Sequence, residues 1–550
     1  MLPLTSSTHG GVLLYIMPPS HATGVHTHTM AFLSFVAFLL CFLAPAFYYL
    51  LIFKSARLRR RRINSSGKRL PPSPPGLPLL GHLHLLGSLP HRSLRSVAAS
   101  HGPVVLLRLG RVPTVVVSSA AAAEEVLRTR DLAFASRPRM PMAERLVYGR
   151  DVAFAPYGEY WRQARRICVA HLLSARRILS FRRVREQEAA ALVARVRERS
   201  ESGVVELSDL LIAYANNVVS RAAFGDESAR GLYDDQDRGR ELKKVFAEFQ
   251  ELLATEPLGE LLPCLAWVDS LVYGLDRKIK RTFQALDAVL EKVIDDHRSR
   301  PTTTQVQDGD DNKDFVDVLL DVNKNYAEYG IRFETNEIKA IILDMFAGGT
   351  DTTTTAMEWA MAELVTHPRA MRKLQDQIRA AVKDTSSGHV TEEHLEGDAV
   401  PYLKAVIKET LRLHVPVPLL VPREPPADAE ILGYHVPAGT RVVINAWAIA
   451  RDPATWGHRD ADEFLPERFL SGGAAAAVDY KGQSFELLPF GAGRRGCPGV
   501  GFAEQSMELA LASLLYHFDW EAASLDMSET NGLAVHIKSG LPLLAKPWIP

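Results

Sequence analysis

The chain has 550 residues, 47% hydrophobic and 23% charged, enough for a large packed core. Lysine plus arginine equal aspartate plus glutamate at 64 each, so no overall charge excess points to nucleic acid or another polyanion. The four cysteines (Cys41, Cys168, Cys264, Cys497) are scattered without a CxxC pair, which argues against a zinc site or a disulfide framework and fits a reducing compartment.

Residues 1–53 carry no Lys, Arg, Asp or Glu. Within them residues 1–29 read as an extension of uncertain role, whose four histidines fit a disordered tail better than a metal site. Met30 is the expected natural start. The uncharged run Met30–Phe53 is long enough to span a bilayer as one helix, which needs about 20 apolar residues. The basic cluster Lys54–Arg62 follows directly and by the positive-inside rule keeps the remainder cytosolic. A cleaved signal peptide fits poorly: the run is too long and the charges lie on its wrong side.

Leu70–His82 holds five prolines and predicts a stiff polyproline spacer, so residues 54–81 read as a basic cluster and hinge below a globular body. "PVVLLRLGRVPTVVVSS" (103–119) predicts a hairpin about a Gly-Arg turn. From about residue 120 the pattern is mostly helical, with an amphipathic segment at Ile279–Arg300. Polar stretches at 301–314 and 471–483 read as surface connections. Residues 82–550 are expected to form one large, mainly α domain with a small β-rich part.

Four motifs carry chemistry. "FGAGRRGCPGVG" (Phe490–Gly501) sets a lone thiol among five glycines and two arginines. One soft thiolate suits haem iron, whose porphyrin supplies four other ligands. Glycine turns can aim N–H groups at the sulfur, Arg495 can pair with a propionate, and Phe490 can cover the ring. A nucleophilic cysteine at the start of the following helix is the rival. "AGGTDTTTTAMEWAMAEL" (Ala347–Leu364) predicts a buried helix distorted by paired glycines and threonines. In "KETLRLHVPVP" (Lys408–Pro418), Glu409 and Arg412 share a helix face. Trp161 and Arg165 do the same in "WRQAR". His171 and His414 read as structural histidines.

Together these residues resemble the cytochrome P450 family. Phe490, Gly493, Arg495, Cys497 and Gly499 meet FxxGxRxCxG, and Gly348, Gly349, Asp351, Thr352 and Thr353 meet [AG]GxDT[ST]. Trp161 and Arg165 meet WxxxR, and "FLPERF" offers Arg468 as third member of a Glu409-Arg412-Arg468 network. "AMAEL", "VPAGTRVVINAWAIARDPATWG" and "PERF" are similar to microsomal plant A-type (71 clan) enzymes. "LDAVLEKVIDDHRSR" is similar to a grass group that includes indole- and indolinone-oxidising enzymes. Val415 departs from a proline common in relatives, at a segment bordering their substrate pocket.

The resemblance implies the P450 fold, preceded here by one transmembrane helix, in an endoplasmic-reticulum enzyme with a cytosolic catalytic domain. It implies haem b with Cys497 as axial thiolate and a propionate held by Trp161, Arg165 and Arg495, with Arg423 a further partner. Thr352 would hold the hydrogen-bond network at bound dioxygen and Asp351 would relay protons to it. The small lipophilic substrate is oxygenated with electrons from an NADPH-dependent reductase, since the chain has no flavin or nicotinamide fingerprint of its own. A haem-thiolate isomerase or dehydratase, or a non-catalytic haem-binding membrane protein, are the competing readings.

Overall fold

The computed structural model describes residues 67–233, 236–299, 313–382 and 388–549. The predicted anchor at 30–53 and most of the polar 301–314 stretch lie outside them. Among the described residues no helix is long and apolar enough to cross a membrane.

The helices of nine residues or more run in order as α1 (Pro90–His101), α2 (Glu159–Ile167), α3 (Arg182–Ser200), α4 (Leu207–Tyr233), α5 (Gln236–Ala254), α6 (Leu275–Ser299), α7 (Phe315–Lys324), α8 (Thr335–Thr366), α9 (Pro368–Ala381), α10 (Pro401–Leu413) and α11 (Val500–His517). The strands are β1 (Val104–Leu109), β2 (Val112–Val117), β3 (Val204–Glu206), β4 (Ala429–Ile431), β5 (Tyr434–Val436), β6 (Arg441–Ile444), β7 (Phe518–Ala522), β8 (Glu529–Thr530), β9 (His536–Ile537) and β10 (Pro542–Pro547). Helix dominates, as expected.

The predicted hairpin forms: β1 and β2 pair antiparallel from Val104↔Val117 to Leu109↔Val112. Its turn needs glycine, because Gly110 has φ 60° and a Cβ there would sit 2.0 Å from Leu261 O. β2 also pairs in parallel with β6. Val115, Val117, Ile431, Val436 and Ile444 close a separate small core under these strands, and Val415 is buried in it. The main core is helical, and α6 contributes Ile279, Leu286, Leu290 and Ile294 at the predicted helical spacing.

The proline segment behaves differently from a free spacer. Leu106 N–H donates to Pro72 O at 2.9 Å, and His82 N–H to Arg108 O at 2.7 Å. The His82 ring accepts from Arg108 N–H at Nδ1 (2.7 Å) and donates from Nε2 to Pro74 O (2.9 Å). Polyproline backbone leaves its carbonyls unpaired, so it can dock along the strand edge as readily as extend into water. The body therefore begins before residue 82.

Helix α8 is the central element, about 48 Å long at 1.5 Å per residue over its 32 residues. Glu334 and Glu337 close a capping box at its start, and Thr353–Leu364 are buried on every side. The expected distortion at the paired glycines is absent: α8 stays helical through Gly348–Thr352. The threonines do bond carbonyls one turn back, Thr354 to Thr350 O and Thr355 to Asp351 O at 2.9 Å each. Packing on all sides holds the helix against that competition.

On α10, Glu409 and Arg412 form a bidentate pair at 2.7 and 2.8 Å with both side chains fully buried. Arg468 joins at 3.0 Å, and Arg412 also donates to Ala450 O and Ala461 O. Every arm of this trio ends on a carboxylate or a carbonyl, which makes it a structural clasp. His414 stacks on Trp359 with centroids 3.9 Å apart, and His171 meets Tyr329 edge-on, so both histidines are structural as expected.

Candidate active site

The loop before α11 is folded around its cysteine. Gly493 has φ 68° and its backbone lies so close to Leu127 that a Cβ would come within 2.1 Å of Leu127 O. Gly496 N–H donates to Gly493 O and Cys497 N–H to Phe490 O, each at 2.9 Å. Phe490 meets Tyr480 edge-on at 5.3 Å. The Cys497 sulfur accepts from Gly499 N–H at 3.3 Å and keeps one accessible side. Burial by the surrounding protein pushes the Cys497 thiol up, and Gly499 N–H and Arg165 offset this only in part. An activated nucleophile would need more support for its thiolate than Gly499 N–H and Arg165 give. A metal ion at the open side would ionise the thiol outright.

Four arginines converge behind this loop. Arg165, on α2, donates to Gly496 O. Arg495 donates to Ala135 O and Ala155 O at 2.7 Å and lies 3.8 Å over the Trp161 ring. Arg423 reaches Ala492 O at 3.1 Å and Asp131 at 3.3 Å. Arg137 donates to Ala153 O, Val421 O and Pro422 O. Burial, then mutual repulsion, lowers Arg137 well below its ordinary value; burial and Arg423 bring Arg495 down to about 9. Burial also lowers Arg423 to about 10, despite Asp131. Asp131 is shared with Arg494 at 2.7 Å, and burial pushes Asp151 upward, away from the charged form. Buried cations in such excess over carboxylates suit a ligand that brings carboxylates of its own, as the two haem propionates do.

Trp161 differs from the expectation. Its Nε1–H is taken by Val152 O at 2.9 Å, and its ring supports Arg495. Arg137 was missed in the sequence, where it is one of several arginines between residues 137 and 150; only the tertiary fold buries it while leaving Arg139 exposed.

Helix α8 faces the same region. Asp344 accepts from Val152 N–H at 2.6 Å and Ala153 N–H at 3.2 Å, on the loop whose carbonyls meet Trp161, Arg137 and Arg495. One turn on, Gly348 presents open space: a Cβ there would meet no atom within 4 Å. Gly349 is tight instead, with Val219 Cγ2 of α4 at 2.8 Å from a Cβ. Thr352, a further turn along the Gly348 face, bonds Gly348 O. Asp351 points elsewhere, to His536 and Ala534 N–H, so the two side chains of the expected relay are adjacent in sequence but bond in different directions. An accessible thiol, an excess of buried arginine and the open Gly348 on α8 thus fit a haem held at the cysteine loop.

A family model described as Cytochrome P450 matches residues 71–542. Among curated relatives, Cytochrome P450 71A1 of Persea americana is 49% identical over 475 residues, covering 85% of this chain and 91% of the relative. Cytochrome P450 71A6 of Nepeta racemosa is 47% identical, covering 89% and 96%. A norfluorocurarine oxidase of Strychnos sp is 44% identical, covering 85% and 91%. A zebra fish cytochrome P450 solved with progesterone superposes with TM-score 0.68 at 24% identity, over 84% of this chain and all of that one, a likeness of fold. The chain belongs to the cytochrome P450 family, among its plant 71-type haem-thiolate monooxygenases.

Proposed function

We propose that this chain is a membrane-anchored monooxygenase that places one atom of dioxygen in a small lipophilic plant metabolite, fed by an NADPH-dependent reductase in the same endoplasmic-reticulum membrane. The observation that carries the reading is the accessible Cys497 thiol backed by the arginine cluster, with α8 tied to the same 151–155 loop through Asp344. Cys497 ligates the iron, with Gly499 N–H moderating the sulfur's charge. Arg137, Arg165, Arg423 and Arg495 hold the propionates, and Trp161 positions Arg495. The haem supplies the activation of dioxygen. On the protein's side, Gly348 leaves room beside the ring, Thr352 Oγ1 holds a proton at that face, and Asp351, once it turns from Ala534 N–H, feeds protons toward it. The anchor at 30–53 and the basic cluster after it support the membrane location. Likeness to the indole-oxidising grass enzymes makes indole-type metabolites the first to screen.

Reconstitution with a plant reductase, NADPH and dioxygen tests the activity: substrate-dependent NADPH use with an oxygenated product is expected, and a product formed without NADPH would favour an isomerase or dehydratase. Cys497→Ala should abolish the thiolate-type carbon monoxide difference spectrum; its persistence would remove Cys497 from the iron. Thr352→Ala should raise the peroxide released per NADPH oxidised while that spectrum is kept.

A further inference from the structure

The monooxygenase reaction, RH + O2 + 2e− + 2H+ → ROH + H2O, takes up two protons per turnover, and a route for those protons rests on that proposed function. Asp351 is poorly placed to collect them from water. It is buried, and both of its oxygens are engaged: Oδ2 accepts from Ala534 N–H at 3.0 Å and Oδ1 lies 2.9 Å from His536 Nε2. A peptide N–H does not titrate in this range; an imidazole does. His536, at the start of β9, is also the outermost member of its cluster. Its side chain is 20% exposed, against 10% for Asp351 and 4% for Glu358. Its Nδ1 lies 2.8 Å from Glu358 Oε2, two helical turns beyond Asp351 on α8. Thr355 Oγ1 packs 3.1 Å from the ring while bonding Asp351 O.

We propose that His536 resupplies protons to Asp351, forming a relay from solvent to the distal face of the haem site. When Asp351, released from Ala534 N–H, turns and gives up its proton toward Thr352, the His536 Nε2–H bond breaks and an Oδ1–H bond forms. Imidazolium and carboxylate become neutral imidazole and carboxylic acid. Nδ1 keeps its proton against Glu358; the ring swings its vacated Nε2 outward, takes a proton there from water and swings back, restoring the imidazolium. Glu358 is the second carboxylate that keeps the ring charged between turnovers. Burial alone would lower the His536 pKa, but hydrogen bonds and charge from Asp351 and Glu358 outweigh it and raise it to about 10. Those two carboxylates are the charged groups that face the ring, Asp351 and Glu358 from α8, with Thr355 and Ala534 N–H as neutral neighbours.

A purely structural role, clipping the β8–β9 hairpin to α8, makes a different prediction, and His536→Arg separates the two. Arginine keeps a cation between the carboxylates but does not release its proton in a protein. The full chain is reconstituted with a plant reductase, and peroxide released per NADPH oxidised is measured without added substrate. Thermal stability and carbon monoxide-binding haem are measured alongside. His536→Arg and His536→Gln are expected to raise the peroxide ratio about two-fold or more, as Thr352→Ala does, with haem content unchanged in His536→Arg. A wild-type ratio in His536→Arg, with a raised ratio in Thr352→Ala, overturns the relay and leaves the monooxygenase reading standing. A wild-type ratio in Thr352→Ala itself overturns proton delivery at this face altogether. The second readout is independent of turnover: by NMR of ring-labelled histidine, the resonance lost in His536→Gln should titrate far above free histidine and fall toward it in Asp351→Asn. A midpoint near the ordinary value of about 6.5 in the wild-type chain overturns the proposal whatever the variants do.

Discussion

Gly348 and Gly349 stand side by side in one motif, yet the structure uses their missing side chains for opposite ends. Gly348 faces open space beside the proposed haem, while Gly349 lets α4 approach α8 at Val219. Gly348→Val should therefore leave thermal stability near wild type while altering haem uptake or the haem absorption spectrum. Gly349→Val should destabilise the fold by about 1–3 kcal/mol in urea unfolding, through overpacking against Val219. No sequence pattern separates the two, because the difference lies in what a distant helix places opposite each. Cys497 and Arg495 stood out in the sequence because a loop motif fixes their spacing. Arg137 and His536 were not, since burial and partners decide their roles and both arrive from far along the chain.

At the scale of elements, α10 carries the trio that ties the core to the segment before the cysteine loop. Arg412→Ala would leave Glu409 with Arg468 and Leu465 N–H but no bidentate cation, and would take the Arg412 donor from Ala450 O and Ala461 O. Breaking a buried pair in this way costs about 3–5 kcal/mol, so the variant should accumulate poorly and unfold at markedly lower urea. The Glu409–Arg412 spacing made the pair readable, whereas burial, the property that makes it costly to break, was not in the sequence. The β8–β9 hairpin gives a pH prediction. The folded His536 pKa of about 10 lies above the unfolded value of about 6.5, so its stabilisation is full below the lower value and lost as pH rises through the upper. The difference in unfolding free energy between wild type and His536→Gln should thus shrink from pH 6 to pH 10. The reading of α8 erred in the other direction: its glycines and threonines weaken an isolated helix, but the buried turns Thr353–Leu364 and the packing of Gly349 on Val219 keep this one intact.

For the whole molecule, the sequence placed the hairpin, the helical majority and the small sheet. The boundary of the globular body was set too late, because a polyproline strip has the same composition whether it floats or docks. A chain lacking residues 1–53 should keep its carbon monoxide spectrum and thermal stability while no longer sedimenting with membranes. Extending the deletion to residue 76 also removes the Pro72 and Pro74 acceptors, and the melting temperature should then fall.

The five residues Asp151–Ala155 have no regular secondary structure, but α8 holds their amides through Asp344, and Trp161, Arg137 and Arg495 hold their carbonyls. Such a strip acts as a ruler: its contour length sets how far apart α8 and the arginines behind the cysteine loop stand. Ordinary loops tolerate an inserted residue, but one added between Val152 and Ala155 would shift the frame of both halves together. A spacing between two parts of the fold is thus kept by a backbone with no regular structure of its own.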